Sequence, residues 1–344
     1  MKTFTLSGQA KDYFETHLSD FVPSRVWDSH VHVFYPGTGS TGAGVGPEDA
    51  CTSGVVSAWD SKLLPGRKMG YSIVGHPFPG MDTQKMADFT LEQTRSFSRS
   101  ADLTIRFPAG AFPNVSPAMP VDEVEELARD PFTAGLKPYR FFSVTGDIDE
   151  CGITDFLPEE QIAAANRHGL IILLHLSKKR GPADPGNLRD LEKLTAKYPR
   201  VKWQLAHCAR SFNPLFLEEA VSELKQLPNI WYDTSAVCES AVFDILFSEI
   251  DHSRILYGSD HSPVHVAGGK YVSFGRGWMW ISPDNSEKKI THCDAAPFPM
   301  VYEELYAMKK AANHAGYGKQ ELDQIFYKNS RDLISEILSN KAKI

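Results

Sequence analysis

Eight short runs rich in β-branched and aromatic residues recur along the chain, each closed by glycine, proline or a polar residue. They begin at Val26 (VWDSHVHVF), Tyr71 (YSIVG), Leu103 (LTIRF), Leu136 (LKPYRFF), Leu170 (LIILLHL), Val201 (VKWQLAH), Asn229 (NIWYDTS) and Arg254 (RILYGSD). Their successive spacings are 45, 32, 33, 34, 31, 28 and 25 residues, and about 30 residues is the size of one βα unit. Between them lie stretches with helical periodicity, such as 158–169, 187–198 and 213–227. In the last of these Leu217, Ala220, Val221, Leu224 and Leu227 form a one-sided apolar face. Strands alternating with helices predict a parallel sheet covered on both faces. Eight such units predict an α/β fold of the (β/α)8 TIM-barrel type, with an open doubly wound sheet as the structural alternative.

The 344 residues fit one barrel domain over 1–344. It would carry an extension at 1–24, a lid or substrate loop at 261–299 and closing helices at 300–340. The Gly-rich TGSTGAGVG at 38–46 follows the first strand but precedes no strongly periodic helix, so it reads as loop rather than phosphate cradle. A formal charge of −7 argues against a nucleic-acid or anionic-membrane surface. No apolar run approaches the ~18 residues a membrane span needs. The N-terminus has acidic residues and no apolar core, unlike a secretory signal. Five cysteines without a CxxC pair disfavour a disulfide framework or a zinc ribbon. The expectation is a soluble, cytoplasmic protein.

Side chains at the C-terminal ends of barrel strands converge on one mouth. Four of these ends carry potential metal ligands. The first run holds His30 and His32, two apart and therefore on the same side of a strand. The fifth runs into His175, the sixth into His207, and the eighth into Gly258-Ser259-Asp260. Imidazole nitrogens and a carboxylate suit Zn²⁺, Mn²⁺ or Fe²⁺, and a position left open makes such a site catalytic. A single histidine is more often a satisfied core residue; agreement among four strand ends points to a metal.

With these residues the chain resembles the amidohydrolase superfamily, in its amidohydrolase-2 branch. The resemblance runs from DSHVHVF through GLKPYRFF, ILLHLS, QLAHCA and ILYGSDHSP to IFYKNSRDL. It implies a metal-dependent barrel whose members hydrolyse amides, lactones or related esters, while some members decarboxylate aromatic or unsaturated acids. It implies His30, His32, His175 and Asp260 as ligands of one divalent ion, zinc before manganese or iron. Asp260 would also shuttle a proton; His207 matches a second-metal ligand of binuclear relatives and, in mononuclear ones, a base or electrostatic partner for water or substrate. A bound metal lowers the pKa of water towards ~7, and a nearby carboxylate can move the proton.

Lys137 in GLKPYRFF matches a position that is carboxylated and bridges two metals in binuclear relatives; a substrate-facing amine and a structural role stand beside that reading. Arg106 and Arg140 are expected at strand ends, where they would pair with an anionic substrate. His76 would stand at the mouth, and Arg276, Trp278 and Trp280 would cover it. Asp28 either supports the ligands or ends a buried polar network. The leading expectation is a hydrolase of a small carboxylated lactone or amide, with a non-oxidative decarboxylase as the alternative. A binder without catalysis is disfavoured, because it has no need of Asp260 and His207 beside the ligands. A homo-oligomer is compatible with the sequence.

Overall fold

The computed structural model describes residues 4–38, 48–100, 106–282, 292 and 298–341, without the side chains of residues 100 and 106–108. The Gly-rich stretch at 38–46 lies outside the described residues apart from Thr38.

Eight parallel strands form the barrel: β1 (Arg25–Val33), β2 (Lys68–Gly75), β3 (Arg106–Phe112, resuming as Asn114–Val115), β4 (Gly135–Pro138), β5 (Ile171–Leu174), β6 (Lys202–Leu205), β7 (Ile230–Asp233) and β8 (Ile255–Leu256). Each pairs with the next in parallel register. The ring closes where the exit of β8 meets β1. Asp260 N–H donates to the His30 carbonyl at 2.8 Å, and Ser29 N–H donates to the Tyr257 carbonyl at 2.9 Å. Proline has no N–H to give a ladder, and Pro113 is where β3 breaks before Asn114 pairs with Lys137.

The third strand departs from expectation. Its described part starts at Arg106 and continues through Pro108 to Phe112, whereas the sequence places its apolar run at 103–107. The register with β2 slips by one residue between the Met69–Arg106 and Tyr71–Ala109 pairs. A proline is tolerated at such a bulge. Arg106 therefore stands at the start of the described part of the strand, at the end away from the mouth, rather than closing it.

Helix boundaries follow local chemistry. The Asp184 carboxylate caps Pro185–Lys197 by accepting from Gly186 N–H at 2.7 Å, and Asn213 caps Pro214–Leu224 through Leu215 N–H at 3.1 Å. Helix Glu159–His168 stops at left-handed Gly169. On Pro214–Leu224 the predicted apolar face is buried at Leu217, Ala220, Val221 and Leu224. Gly135 is required by close approach. A Cβ there would stand 2.3 Å from the Phe112 ring and 2.7 Å from the Ile171 carbonyl, so β4 can lie between its neighbours and present Lys137 two residues on.

The region expected as an irregular lid is partly ordered secondary structure. It contains a short helix (Pro263–Ala267) and an antiparallel hairpin, β9 (Lys270–Phe274) and β10 (Gly277–Ile281). The Asn213 side chain donates to the carbonyls of Gly275 and Gly277, both at 3.0 Å, and so ties the hairpin tip to the barrel. Residues 283–291 and 293–297 of that region lie outside the described residues. Helices Met300–His314, Lys319–Asp323 and Asn329–Lys341 follow, the last two joined through a π-helical turn at Gln324–Lys328. The N-terminal turn packs on the first of them, with Phe14 stacked on Tyr302. No described helix is long and apolar enough to cross a membrane.

Candidate active site

Segments that follow the strands supply the walls of one cavity of about 420 Å³. His32 comes from the end of β1, His76 follows β2, Tyr139 and Arg140 follow β4, His175 follows β5, His207 and Arg210 follow β6, and Asp260 follows β8. This is the mouth at the C-terminal ends of the strands, where barrel enzymes place their chemistry.

At its floor His30, His32 and Asp260 converge. Asp260 Oδ1 stands 2.9 Å from His32 Nε2 and 3.6 Å from His30 Nε2. His30 Nδ1 lies 3.2 Å from Asp233 Oδ2 and 3.1 Å from Ser235 Oγ. That pairing places the ring proton on Nδ1 and leaves Nε2 bare towards Asp260. Burial, reinforced by the Lys137 charge, pushes the His30 pKa down to about 3, so the ring is neutral, as a metal ligand must be. Burial raises the Asp260 pKa, but the hydrogen bond from His32 and the adjoining imidazoles outweigh it and hold the carboxyl well below its usual range. Two neutral imidazoles and an ionised carboxylate, with their ligating atoms within 4.8 Å of one another, fit a divalent transition ion.

His175 shares the chamber but is turned elsewhere. Its Nε2 is 3.0 Å from His207 Nε2, and its Nδ1 is 3.2 Å from Lys137 Nζ. The expected four-ligand shell is thus gathered as three residues, with the fourth engaged by neighbours. His207 places Nδ1 2.8 Å from the Ser235 carbonyl, which leaves Nε2 towards His175 and the cavity. Lys137 is fully buried, with Nζ 3.2 Å from His30 Nε2. Burial lowers its pKa to about 7, against the opposing pull of Asp260 and Asp233.

Asp233, which the sequence reading passed over, braces this arrangement. Besides His30 it accepts from the His207 backbone N–H at 2.9 Å, from Gln204 Nε2 at 2.8 Å and from Ser235 Oγ at 2.5 Å. Its oxygens and the His30 and His207 rings also cluster closely enough to resemble a ligand set. Those oxygens are already taken up by hydrogen bonds, so Asp233 reads as an orienting group. The available signal was its place as the last residue of β7, equivalent to the strand ends that carry histidines. Asp28 lies deeper and accepts from the N–H groups of His30 at 3.1 Å and Ser259 at 2.9 Å; it ties together the segments that carry His30 and Asp260.

The remaining expected residues divide. Arg140 lines the cavity while pairing with Asp149 at 2.7 Å. Arg106 is at the opposite end of the barrel by its backbone register with Met69, and its side chain lies outside the described residues. Trp278 lines the cavity, whereas Trp280 packs on His265, 5.1 Å between ring centres. Arg276 turns outward to Glu219 at 3.3 Å. His76 lines the cavity 4.8 Å from the His32 ring. Arg210, Tyr139, Phe212 and Tyr271 also line it; none was singled out from sequence.

Among curated proteins no sequence matches the chain significantly. Several solved structures share its fold. A protein from Acinetobacter baumannii assigned as a 2-pyrone-4,6-dicarboxylic acid hydrolase, solved with citric acid, is 15% identical; the match covers 90% of this chain and 99% of that one, with a TM-score of 0.54. The 4-oxalomesaconate hydratase of Rhodopseudomonas palustris is 16% identical over 92% and 98% of the two chains, TM-score 0.54. The 5-carboxyvanillate decarboxylase of Novosphingobium aromaticivorans, complexed with manganese and 4-hydroxy-3-methoxy-5-nitrobenzoic acid, is 12% identical over 97% and 99%, TM-score 0.55. At such identities the likeness establishes the TIM barrel alone. The family profile described as amidohydrolase matches residues 27–334, and the chain belongs to that family, in the amidohydrolase-2 branch of the amidohydrolase superfamily.

Proposed function

We propose that the protein is a metal-dependent hydrolase of a small, carboxylated organic substrate with a lactone, amide or related bond. The observation that carries this reading is the convergence of His30 Nε2, His32 Nε2 and Asp260 Oδ1 at the floor of the cavity. One divalent ion held there, with His175 recruited as a further ligand by a ring rotation, would supply Lewis acidity and an acidified water. Zinc is the first choice, and manganese, the ion in the Novosphingobium decarboxylase, the next. Asp260, held ionised, takes a proton from the nucleophile and returns it to the leaving group. His207 Nε2 orients water or stabilises charge developing on the substrate. Lys137 and Arg140 favour an anionic substrate.

A decarboxylase of an aromatic or unsaturated acid is the second reading, favoured by the aromatic side chains of Tyr139, Phe212, Tyr271 and Trp278 in the cavity wall. A panel of carboxylated lactones, amides and aromatic acids, assayed with metal-loaded protein, separates the two. Ring-opened or amide-cleaved product supports hydrolysis, and carbon dioxide release replaces it with the second reading. Full activity after exhaustive chelation, with metal removal verified, would overturn both.

A further inference from the structure

After β6 the backbone does something that side-chain-bearing residues rarely do. His207, Cys208, Ala209 and Arg210 have φ of 58°, 50°, 63° and 63° in succession. A left-handed turn without glycine costs about 1–2 kcal/mol per residue, and such strain persists only where the surroundings fix it. The turn begins at His207 and ends at Arg210, and both side chains line the cavity.

Arg210 is half-buried, yet among the described residues no carboxylate lies within ion-pair distance of it. Its Nη1 donates to the Lys178 carbonyl at 3.1 Å, and its guanidinium stands 5.9 Å from the centre of the Trp278 ring. The other arginine lining the cavity is compensated differently. Arg140 has Asp149 at 2.7 Å, and its charge adds to that of Arg210 across the same space. A guanidinium offers five donors in a fixed fork that matches a carboxylate; one carbonyl leaves most of that fork free. Burial and the Arg140 charge together lower the Arg210 pKa to about 10, so it remains a cation at neutral pH.

The neighbours set the shape of what the fork receives. Phe212 lies 5.1 Å from the His207 ring and 4.5 Å from the Trp278 ring, and Tyr139 lies 4.8 Å from the His175 ring. These aromatic faces run from the histidine floor towards the two arginines. We infer that Arg210, seconded by Arg140, is the subsite for a carboxylate of a flat, conjugated substrate, a carboxylate retained through the reaction while the reacting carbon meets the histidines. This deepens the hydrolase reading, since it rests on the cavity being the substrate site, and it names Arg210 as a determinant of substrate choice.

The test reads binding rather than turnover, so it stands apart from the reaction class. Benzoate, neutral benzamide and non-planar cyclohexanecarboxylate are titrated into the metal-loaded protein by calorimetry, with wild type compared to Arg210→Gly. Glycine suits the left-handed position, so that variant removes the fork without disturbing the turn. Benzoate should bind wild type roughly 10- to 100-fold more tightly than benzamide, the worth of hydrogen bonds to a charged group, and more tightly than cyclohexanecarboxylate. In Arg210→Gly the benzoate advantage should vanish, benzamide should be unchanged, and free guanidinium at millimolar concentration should restore benzoate binding. A benzoate advantage that survives in Arg210→Gly would overturn the proposal. So would an equal loss of both ligands, or wild type without measurable benzoate affinity. A failed turnover panel beside an intact benzoate effect would count against the hydrolase reading alone.

Discussion

Asp233 Oδ2 stands 3.2 Å from His30 Nδ1, and both side chains are fully buried. An imidazole whose far nitrogen is held by a carboxylate is fixed in tautomer and direction, which raises its worth as a ligand. Burial raises the Asp233 pKa, but His30 and its other donors more than offset this and hold the carboxyl far below its usual range, so the brace is an anion. Asp233→Asn should keep the side-chain shape and lower metal affinity by about 10- to 100-fold. Competition against a chromophoric chelator measures this, and unchanged affinity in a folded variant would remove Asp233 from the role.

Metal binding and chemistry should separate at the two kinds of histidine. His30→Ala should lose metal and activity together. His207→Asn should retain metal and lose turnover by ~10²–10⁴, the usual worth of a positioned acid–base group. Asp260→Asn should impair both. Metal analysis of each purified variant beside its rate decides the matter, and a His207 variant as metal-poor as His30→Ala would make His207 a ligand.

The spacing of the apolar runs made the barrel legible, because a βα unit has a nearly fixed length and all eight strands, as described, begin within three residues of their predicted starts. The third strand was harder to read, since Pro108 looks like a terminator until its bulge against β2 is known. His30, His32, His175, His207 and Asp260 were readable because strand ends converge in this fold. Asp233 obeys the same rule but carries no motif, and Arg210 lies beyond the strand in a turn whose left-handed path no local pattern announces. The hairpin at Lys270–Ile281 was hidden by its glycines and by its setting in a long connection.

Stability away from the mouth should respond to acid through Glu125. This carboxylate, 10% exposed, joins helices Val121–Arg129 and Glu159–His168 by accepting from Arg167 Nε at 2.6 Å and pairing with His168 Nε2 at 2.8 Å. Burial raises its pKa, but the hydrogen bonds from His168 and Arg167 outweigh that and lower it. A carboxyl with a depressed folded pKa stabilises above its unfolded value, about 4.3, and loses that contribution as pH falls through the folded value. Glu125→Gln should therefore lower stability by about 1 kcal/mol at pH 7, discounted for the exposed Arg167. The gap in melting temperature between the two proteins should narrow below about pH 4. A gap independent of pH would show that packing, not charge, holds these helices.

Lys137 is the residue whose substitution discriminates most sharply between two forms of the metal centre. Its amine lies 3.2 Å from both His30 Nε2 and His175 Nδ1, sealed from solvent at the floor of the cavity. The convergent set of His30, His32 and Asp260 does not include it, so a single ion should bind without it. Lys137→Met keeps the length and the apolar stem while removing the donor. It should leave one ion per chain and reduce turnover of carboxylated substrates by about 10²–10³, the cost of losing one donor to developing negative charge. Metal content by elemental analysis, set beside rates on a charged and a neutral substrate, reads both parts. Loss of metal in Lys137→Met would instead place Lys137 inside the ligand shell, as a carboxylated lysine bridging two ions would be, and the single-ion assignment would fall.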